Sequence, residues 1–298
     1  MSLTQVLPSN TASATPPKVR YFSWWLVVFA AGWFVVLLTA FPDPTTLMQR
    51  HWPLILVGVG GAILGNATAV GGGLVFVPVM IVLYHMPAEA ALKLALATQA
   101  FGMTSGAIAW LRRGVVPIEA LYATTPALLV GATVGTVVIA PSSVLVKSLF
   151  GPASILIGLT TLLMLNRSGN RLSLPHRATL PLIFVTLMGG LLTGWIAIGV
   201  GEVVAAFLML AYGLRIERCV GLGVVLLAVG SIYLTLLHQA TAHDIPWDMT
   251  IFTILGAVFG ARSAPFLTQY LSARALKLGF ATVAIVDGFI FVVQSYFV

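Results

Sequence analysis

Three ionisable side chains, Glu202, Arg262 and Asp287, lie inside long apolar runs. A charge in such a setting is costly enough that a functional role is its default reading. Arg262 offers a fixed cation to an anion, and Glu202 or Asp287 offers a carboxylate that exchanges protons. The alternative is that Arg262 and Asp287 neutralise each other. Two glycine-rich stretches lie in the same kind of environment: Gly65-Asn66-Ala67-Thr68-Ala69-Val70-Gly71-Gly72-Gly73 and Gly194-Trp195-Ile196-Ala197-Ile198-Gly199-Val200-Gly201-Glu202. A helix that restarts after such a stretch presents unpaired N–H groups and the positive end of its dipole, which favour an anion. Glycine lets that backbone come close to a ligand. The backbone donors are then Gly71, Gly72, Gly73, Gly199 and Gly201, with Asn66, Thr68 and Trp195 beside them. Thr98, Gln99 and Ser105 add hydroxyl and amide donors along the run that follows the first stretch. The competing reading makes the glycines small-xxx-small packing surfaces and the polar groups interhelical hydrogen bonds.

Other chemistries lack their residues. There is no HExxH pair, no nucleophile–base constellation, no paired-carboxylate motif and no phosphate-binding GxxxxGK loop. The five histidines are scattered in or beside loops without metal-ligand spacing. Neither an enzyme nor an ATP-driven pump is expected of this chain, and neither a cofactor nor a metal.

The elements that must position these groups follow from length. Hydrophobic residues make up 59% of the 298 and charged residues 8%, against about 25% charged in soluble domains, so lipid is the expected solvent. Spans of about 20 residues are expected at 24–41, 90–111, 117–140, 145–165, 217–238, 248–268 and 275–297. Segments 53–85 and 180–213 are each more than thirty residues long and broken by glycines near the middle. One straight helix of that length would measure about 50 Å against a hydrocarbon core of about 30 Å. Two half-helices meeting at a bend fit better.

The net charge of +7 gathers in short clusters between apolar runs, as in Arg112/Arg113, Arg167/Arg171/Arg177 and Arg215/Arg218. That pattern suits cytoplasmic loops rather than a nucleic-acid groove. With the basic clusters inside and the acidic loop Asp244 to Asp248 outside, 180–213 must enter and return on one side, and 53–85 on the other. The N-terminus then lies in the cytoplasm and the C-terminus outside. Residues 1–23, rich in Ser, Thr and Pro, read as a disordered tail, and 24–41 as an uncleaved extra helix. The single Cys219 allows no disulfide within one chain.

A shift of 128 residues lays the two broken segments over one another and matches Gly71 with Gly199, Gly73 with Gly201, Tyr84 with Tyr212, Glu89 with Glu217 and Gly102 with Gly230. A shift of 130 matches Lys147 with Lys277, Phe150 with Phe280 and Gly158 with Gly288. The expected fold is an all-α integral membrane protein of two inverted repeats, 53–165 and 180–298, joined by a cytoplasmic linker at 166–179. Each repeat has one glycine-broken re-entrant hairpin and three transmembrane helices. Three crossings per unit invert the second copy, an arrangement many secondary transporters use. Glu89 and Glu217 read as charges at helix starts.

The run Ala69-Val70-Gly71-Gly72-Gly73-Leu74-Val75-Phe76-Val77-Pro78, its weaker echo from Ala197 to Val203, and the duplicated length resemble the sulfite exporter TauE/SafE family over roughly residues 53–297. In the echo, Val200 stands where a third glycine would be and Glu202 follows directly. The resemblance implies a plasma-membrane permease moving small sulfur-containing anions such as sulfite or an organosulfonate. A passive channel on the same repeats, or a transporter of a different small solute, stays open. Proton coupling, direction of transport and homo-oligomer formation also stay open.

Overall fold

The computed structural model describes residues 24–68, 71–165, 167, 169–270 and 273–296, with the backbone alone at 67–68, 264–270, 273, 276 and 295–296. The expected tail at 1–23, Ala69 and Val70 of the first glycine stretch, the Thr68 side chain and Val298 lie outside the described residues. The described chain is helical, with twelve α-helices and no strand.

Helix α1 (Trp24–Ala40) is followed by a short α2 (Pro44–His51), in a stretch where the sequence pattern predicts no element. Asp43 caps α2 by accepting from the Thr46 amide at 3.2 Å, with proline next in the chain. This is a favourable helix start because proline has no N–H to leave unpaired. The Trp33 indole on α1 donates to the Ile251 carbonyl at 2.8 Å and ties α1 to the rest of the chain.

The first long apolar segment divides into α3 (Pro53–Thr68) and α4 (Gly73–Pro78), which runs on into a π turn at Val79–Leu83. The second divides into α8 (Thr179–Ile196) and α9 (Val200–Tyr212). Ala197 turns at φ 58° and Gly199 at φ 135°, so the chain reverses between α8 and α9 through backbone that glycine adopts easily and alanine does not. The linker before α8 is bonded to the chain just after α9. The Arg171 amide donates to Gly213 O, and the Arg215 amide donates back to Arg171 O, both at 3.0 Å.

The remaining helices are α5 (Ala88–Arg112), α6 (Ile118–Thr133, continued by a π turn to Val138), α7 (Ser143–Leu163), α10 (Ile216–Thr241), α11 (Trp247–Tyr270) and α12 (Ala273–Tyr296). Among the described residues, six stretches are long and apolar enough to cross a membrane: Ala88–Arg112, Ile118–Val138, Ser143–Leu163, His176–Ile196, Ile216–Thr241 and Lys277–Gln294. Five of these coincide with expected spans. The sixth, His176–Ile196, is the first arm of the second broken segment and at 21 residues is longer than the half-helix anticipated. Large apolar side chains such as Val28, Val35, Leu56, Leu156 and Phe184 face outward, as a lipid-facing surface requires.

Packing is dominated by four helix pairs: α3 with α11, α6 with α8, α5 with α10, and α7 with α12. Glycines make the first two pairs possible. A Cβ on Gly256 would lie 1.9 Å from the Ile55 carbonyl, and one on Gly260 would lie 2.4 Å from that of Val59. On the other side, a Cβ on Gly131 would lie 2.1 Å from Leu187 O, and one on Gly135 would lie 2.6 Å from Leu191 O. Both contacts therefore use two glycines four residues apart, laid against one turn of the facing helix. In the α7–α12 pair, Gly158 meets Ala281 and Ile285 while Gly288 meets Gly151 and Ile155. Adding 130 to one set of numbers gives the other.

Candidate functional site

The two interruptions converge on one carboxylate. Glu202, in the first turn of α9, is buried and accepts from the Gly199 amide through Oε2 at 2.9 Å. That bond closes the start of its own helix, in the manner of the glutamate in a capping box. Its other oxygen, Oε1, accepts from the Gly71 amide of the first interruption at 2.8 Å. Gly71 and Gly199 are the pair matched by the 128-residue shift, so equivalent amides bind the two oxygens of a single carboxylate. Position 74, the counterpart of Glu202, is Leu74, and only one half of the molecule brings a charge.

Gln99 on α5 lies at the same place. Its Nε2 donates to Ala197 O at 3.0 Å, while its Oε1 is buried without a hydrogen-bond partner. A Cβ on Gly71 would fall 2.4 Å from that oxygen, and a Cβ on Gly73 would fall 2.5 Å from Ala197 O. Gly72 lies against the Phe76 ring, at 2.5 Å from such a Cβ, and Gly201 lies with its carbonyl against Gly223. Thr193 links the arms of the second segment by accepting from the Val200 amide at 3.1 Å. A buried N–H left without such an acceptor costs about 1–3 kcal/mol.

The other expected site residues are spread more widely. Asn66, buried near the end of α3, donates to Ala62 O at 2.9 Å, and its Oδ1 has no partner and faces Gly106 of α5. Thr98 exchanges a hydrogen bond of 2.5 Å with Thr253 of α11, so it joins two helices rather than the interruptions. The Trp195 indole donates to Ile139 O at 2.9 Å, at the far end of α6. Ser105 is half-buried on α5 with no side-chain hydrogen bond among those described. Arg262 and Asp287 form no ion pair with each other among the described residues, and the Arg262 Nε is buried without a partner.

Lys93 is not among the expected residues. It is buried on α5 and paired with Asp244 in the connection between α10 and α11. Its signal is present in the sequence, since it is an ionisable residue within an expected span, the same criterion that singles out Glu202. Lys93 holds the Asp244 carboxyl below the usual carboxylate range, chiefly by donating a hydrogen bond to it.

Twelve helices among the described residues, six of their stretches long and apolar enough to span, define a multi-pass α-helical membrane protein. A family model described as Sulfite exporter TauE/SafE matches residues 54–289, and the chain belongs to that family. It is a family of membrane transporters and not of enzymes. No curated protein and no solved structure matches the chain.

Proposed function

We propose that this chain is a secondary transporter of small sulfur oxyanions, with sulfite the first candidate, and that its substrate is held where the two interrupted segments meet. The observation that carries the reading is the Glu202 carboxylate between the Gly71 and Gly199 amides. Two converging N–H groups already hold the two oxygens of one carboxyl group there, and sulfite presents oxygens to the same donors. Glu202 is then the resident occupant that a substrate displaces. Two anions side by side in low dielectric repel strongly, so Glu202 must take up a proton or swing away before the anion enters. The first of these routes makes the exchange proton-coupled. Gln99 and the glycines Gly71 to Gly73 and Gly199 to Gly201 line the seat, and the orphaned Nε of Arg262 is a spare donor for an anion in transit. Asp287 is a second coupling candidate.

The scaffold is proposed to be two inverted repeats with re-entrant hairpins. The equivalent glycine contacts of α3–α11 and α8–α6, and the exchange of numbers across α7–α12, support a pseudo-two-fold relation. The linker residue Arg171, bonded to Gly213 and Arg215 at the far end of the 180–213 segment, supports its entry and return on one face. The basic residues at those ends favour the cytoplasm, with the N-terminus inside, the C-terminus outside and the plasma membrane as location. Movement of one repeat against the other would expose the seat to either side.

The test is labelled sulfite flux into proteoliposomes, with and without an imposed proton gradient, against empty liposomes. Saturable, gradient-driven flux is the expected result. Saturable flux indifferent to the gradient would remove the proton role, non-saturating flux would point to a channel, and flux equal to that of empty liposomes would remove sulfite as substrate.

A further inference from the structure

A second polar site lies at the other end of the second half. The linker between α7 and α8, the first turn of α10 and the start of α12 enclose a cavity of about 460 Å³. Its walls carry three cations, Arg167, Arg215 and Lys277, and one carboxylate, Glu217. Glu217 is engaged by Arg215 at 3.4 Å. Arg167 has no hydrogen bond or ion pair among the described residues, and Lys277 reaches only the Met164 carbonyl, at 3.4 Å. Two positive charges on one concave wall are therefore left without an acidic partner.

The wall is fixed by backbone. Arg171 and the Gly213–Arg215 turn exchange two hydrogen bonds of 3.0 Å, and Gly169 lies so close that a Cβ would sit 2.1 Å from Leu214 O. The first bonds of α10 begin with Arg218 and Cys219 onto Arg215 O, so the Ile216 and Glu217 amides at its start have no partner within the helix. Depth narrows the ligand. Ile216 opens the apolar span Ile216–Thr241 and Lys277 lies in the second turn of α12, so the cavity sits at the ends of apolar helices, the level that headgroups occupy around a spanning helix. Leu172, half exposed, and Ile216 give it an apolar side. Its volume falls in the range of about 300–1,000 Å³ that takes a whole small molecule, more than one tetrahedral anion fills.

We propose that this cavity binds a phosphate group, supplied by the headgroup of an anionic phospholipid, which ties the linker to α10 and α12. Arg167 and Lys277 contact the phosphate, Arg215 shapes the wall, and the glycerol meets Leu172 and Ile216. The site is separate from the Glu202 seat and stands whether or not sulfite is the substrate.

The experiment is thermal unfolding of the detergent-purified full chain, titrated separately with dihexanoylphosphatidylglycerol, dihexanoylphosphatidylcholine and inorganic phosphate. Wild type and Arg167→Ala/Lys277→Ala are compared. A ligand that binds only the folded state raises the midpoint by mass action. The expected result is a saturable rise with the anionic lipid and none with the zwitterionic one, with affinity in the double variant weaker by about tenfold or more from loss of two charge-assisted contacts. An equal rise with inorganic phosphate at the same concentration would keep the phosphate site and overturn the lipid source. No rise with either phosphate compound, or an undiminished rise in the variant, would overturn the proposal. If the double variant does not fold, Arg167→Gln alone, changed at an exposed side chain, is read in the same way.

Discussion

The two interruptions occupy matched positions but do different work. The first contributes small residues and, among the described residues, the Gly71 amide, with Gly71 against Gln99, Gly72 against Phe76 and Gly73 against Ala197. The second contributes the left-handed turn at Ala197, the positive φ of Gly199 and the carboxylate of Glu202. Both halves also use paired glycines for close helix contact, at α3–α11 and at α6–α8. On the proposed inverted repeat, the helix contacts are kept in kind while the chemistry becomes one-sided. Glu202, which the 128-residue shift sets against Leu74, stands between the Gly71 and Gly199 amides that the same shift pairs.

The largest expected effect comes from removing that charge. Glu202→Ala leaves the buried Gly71 and Gly199 amides without an acceptor, at about 1–3 kcal/mol for each, and should lower the unfolding midpoint sharply as well as transport. Glu202→Gln keeps one acceptor oxygen and should cost less stability; equal losses for the two variants in thermal unfolding would break the proposed asymmetry. Next is the first interruption, where Gly73→Ala puts a methyl 2.5 Å from Ala197 O. An overpacking loss of about 1–3 kcal/mol is expected, with a matching fall in sulfite flux. A stable, active Gly73→Ala protein would show that the two segments do not need their close approach.

A third measurement sharpens the symmetric part. Gly131→Ala and Gly256→Ala press on Leu187 O and Ile55 O at 2.1 and 1.9 Å, and should each destabilise by overpacking, by about 1–3 kcal/mol. A large difference would separate the halves. The smallest effect concerns a charge that only the first half carries, since the counterpart of Lys93 at position 221 is a glycine. Asp244 has its folded-state carboxyl lowered by Lys93. Its contribution is therefore present above the unfolded carboxylate value of about 3.9 and is lost as pH falls through the lower folded value. Asp244→Asn should destabilise slightly at neutral pH and converge with wild type in acid. A gap that persists at the lowest accessible pH would assign Asp244 another role.

How much of this can be read in advance varies with the range of the interaction. Segments 53–85 and 180–213 are each too long for one straight crossing, and among the described residues each holds two α-helices. The pairing of Gly71 with Gly199 is legible from spacing. Glu202 is visible as a charge in an apolar run, but its bond to Gly71 joins residues 131 apart in sequence, and no local pattern reveals it. Gln99 is expected to donate to a ligand, whereas its Nε2 is taken by Ala197 O. The four-residue glycine spacings at Gly131/Gly135 and Gly256/Gly260 are present in the sequence, but many apolar helices carry such pairs, and only the facing helix shows which ones are contacts. Helix α2 is announced by Asp43 before Pro44, a capping signal that a short polar stretch hides easily. The separation of Arg262 from Asp287 depends on how α11 and α12 are set around α3 and α7, which composition does not encode.

The seat of Glu202 is tested most directly by counterflow of labelled sulfite in proteoliposomes at a series of matched internal and external pH values, comparing wild type with Glu202→Gln. If the carboxylate is the resident occupant that a proton releases, wild-type exchange rises as pH falls, and the amide variant exchanges at a rate that no longer depends on pH. A Glu202→Gln protein that retained the wild-type pH dependence would contradict this and return Glu202 to a helix cap.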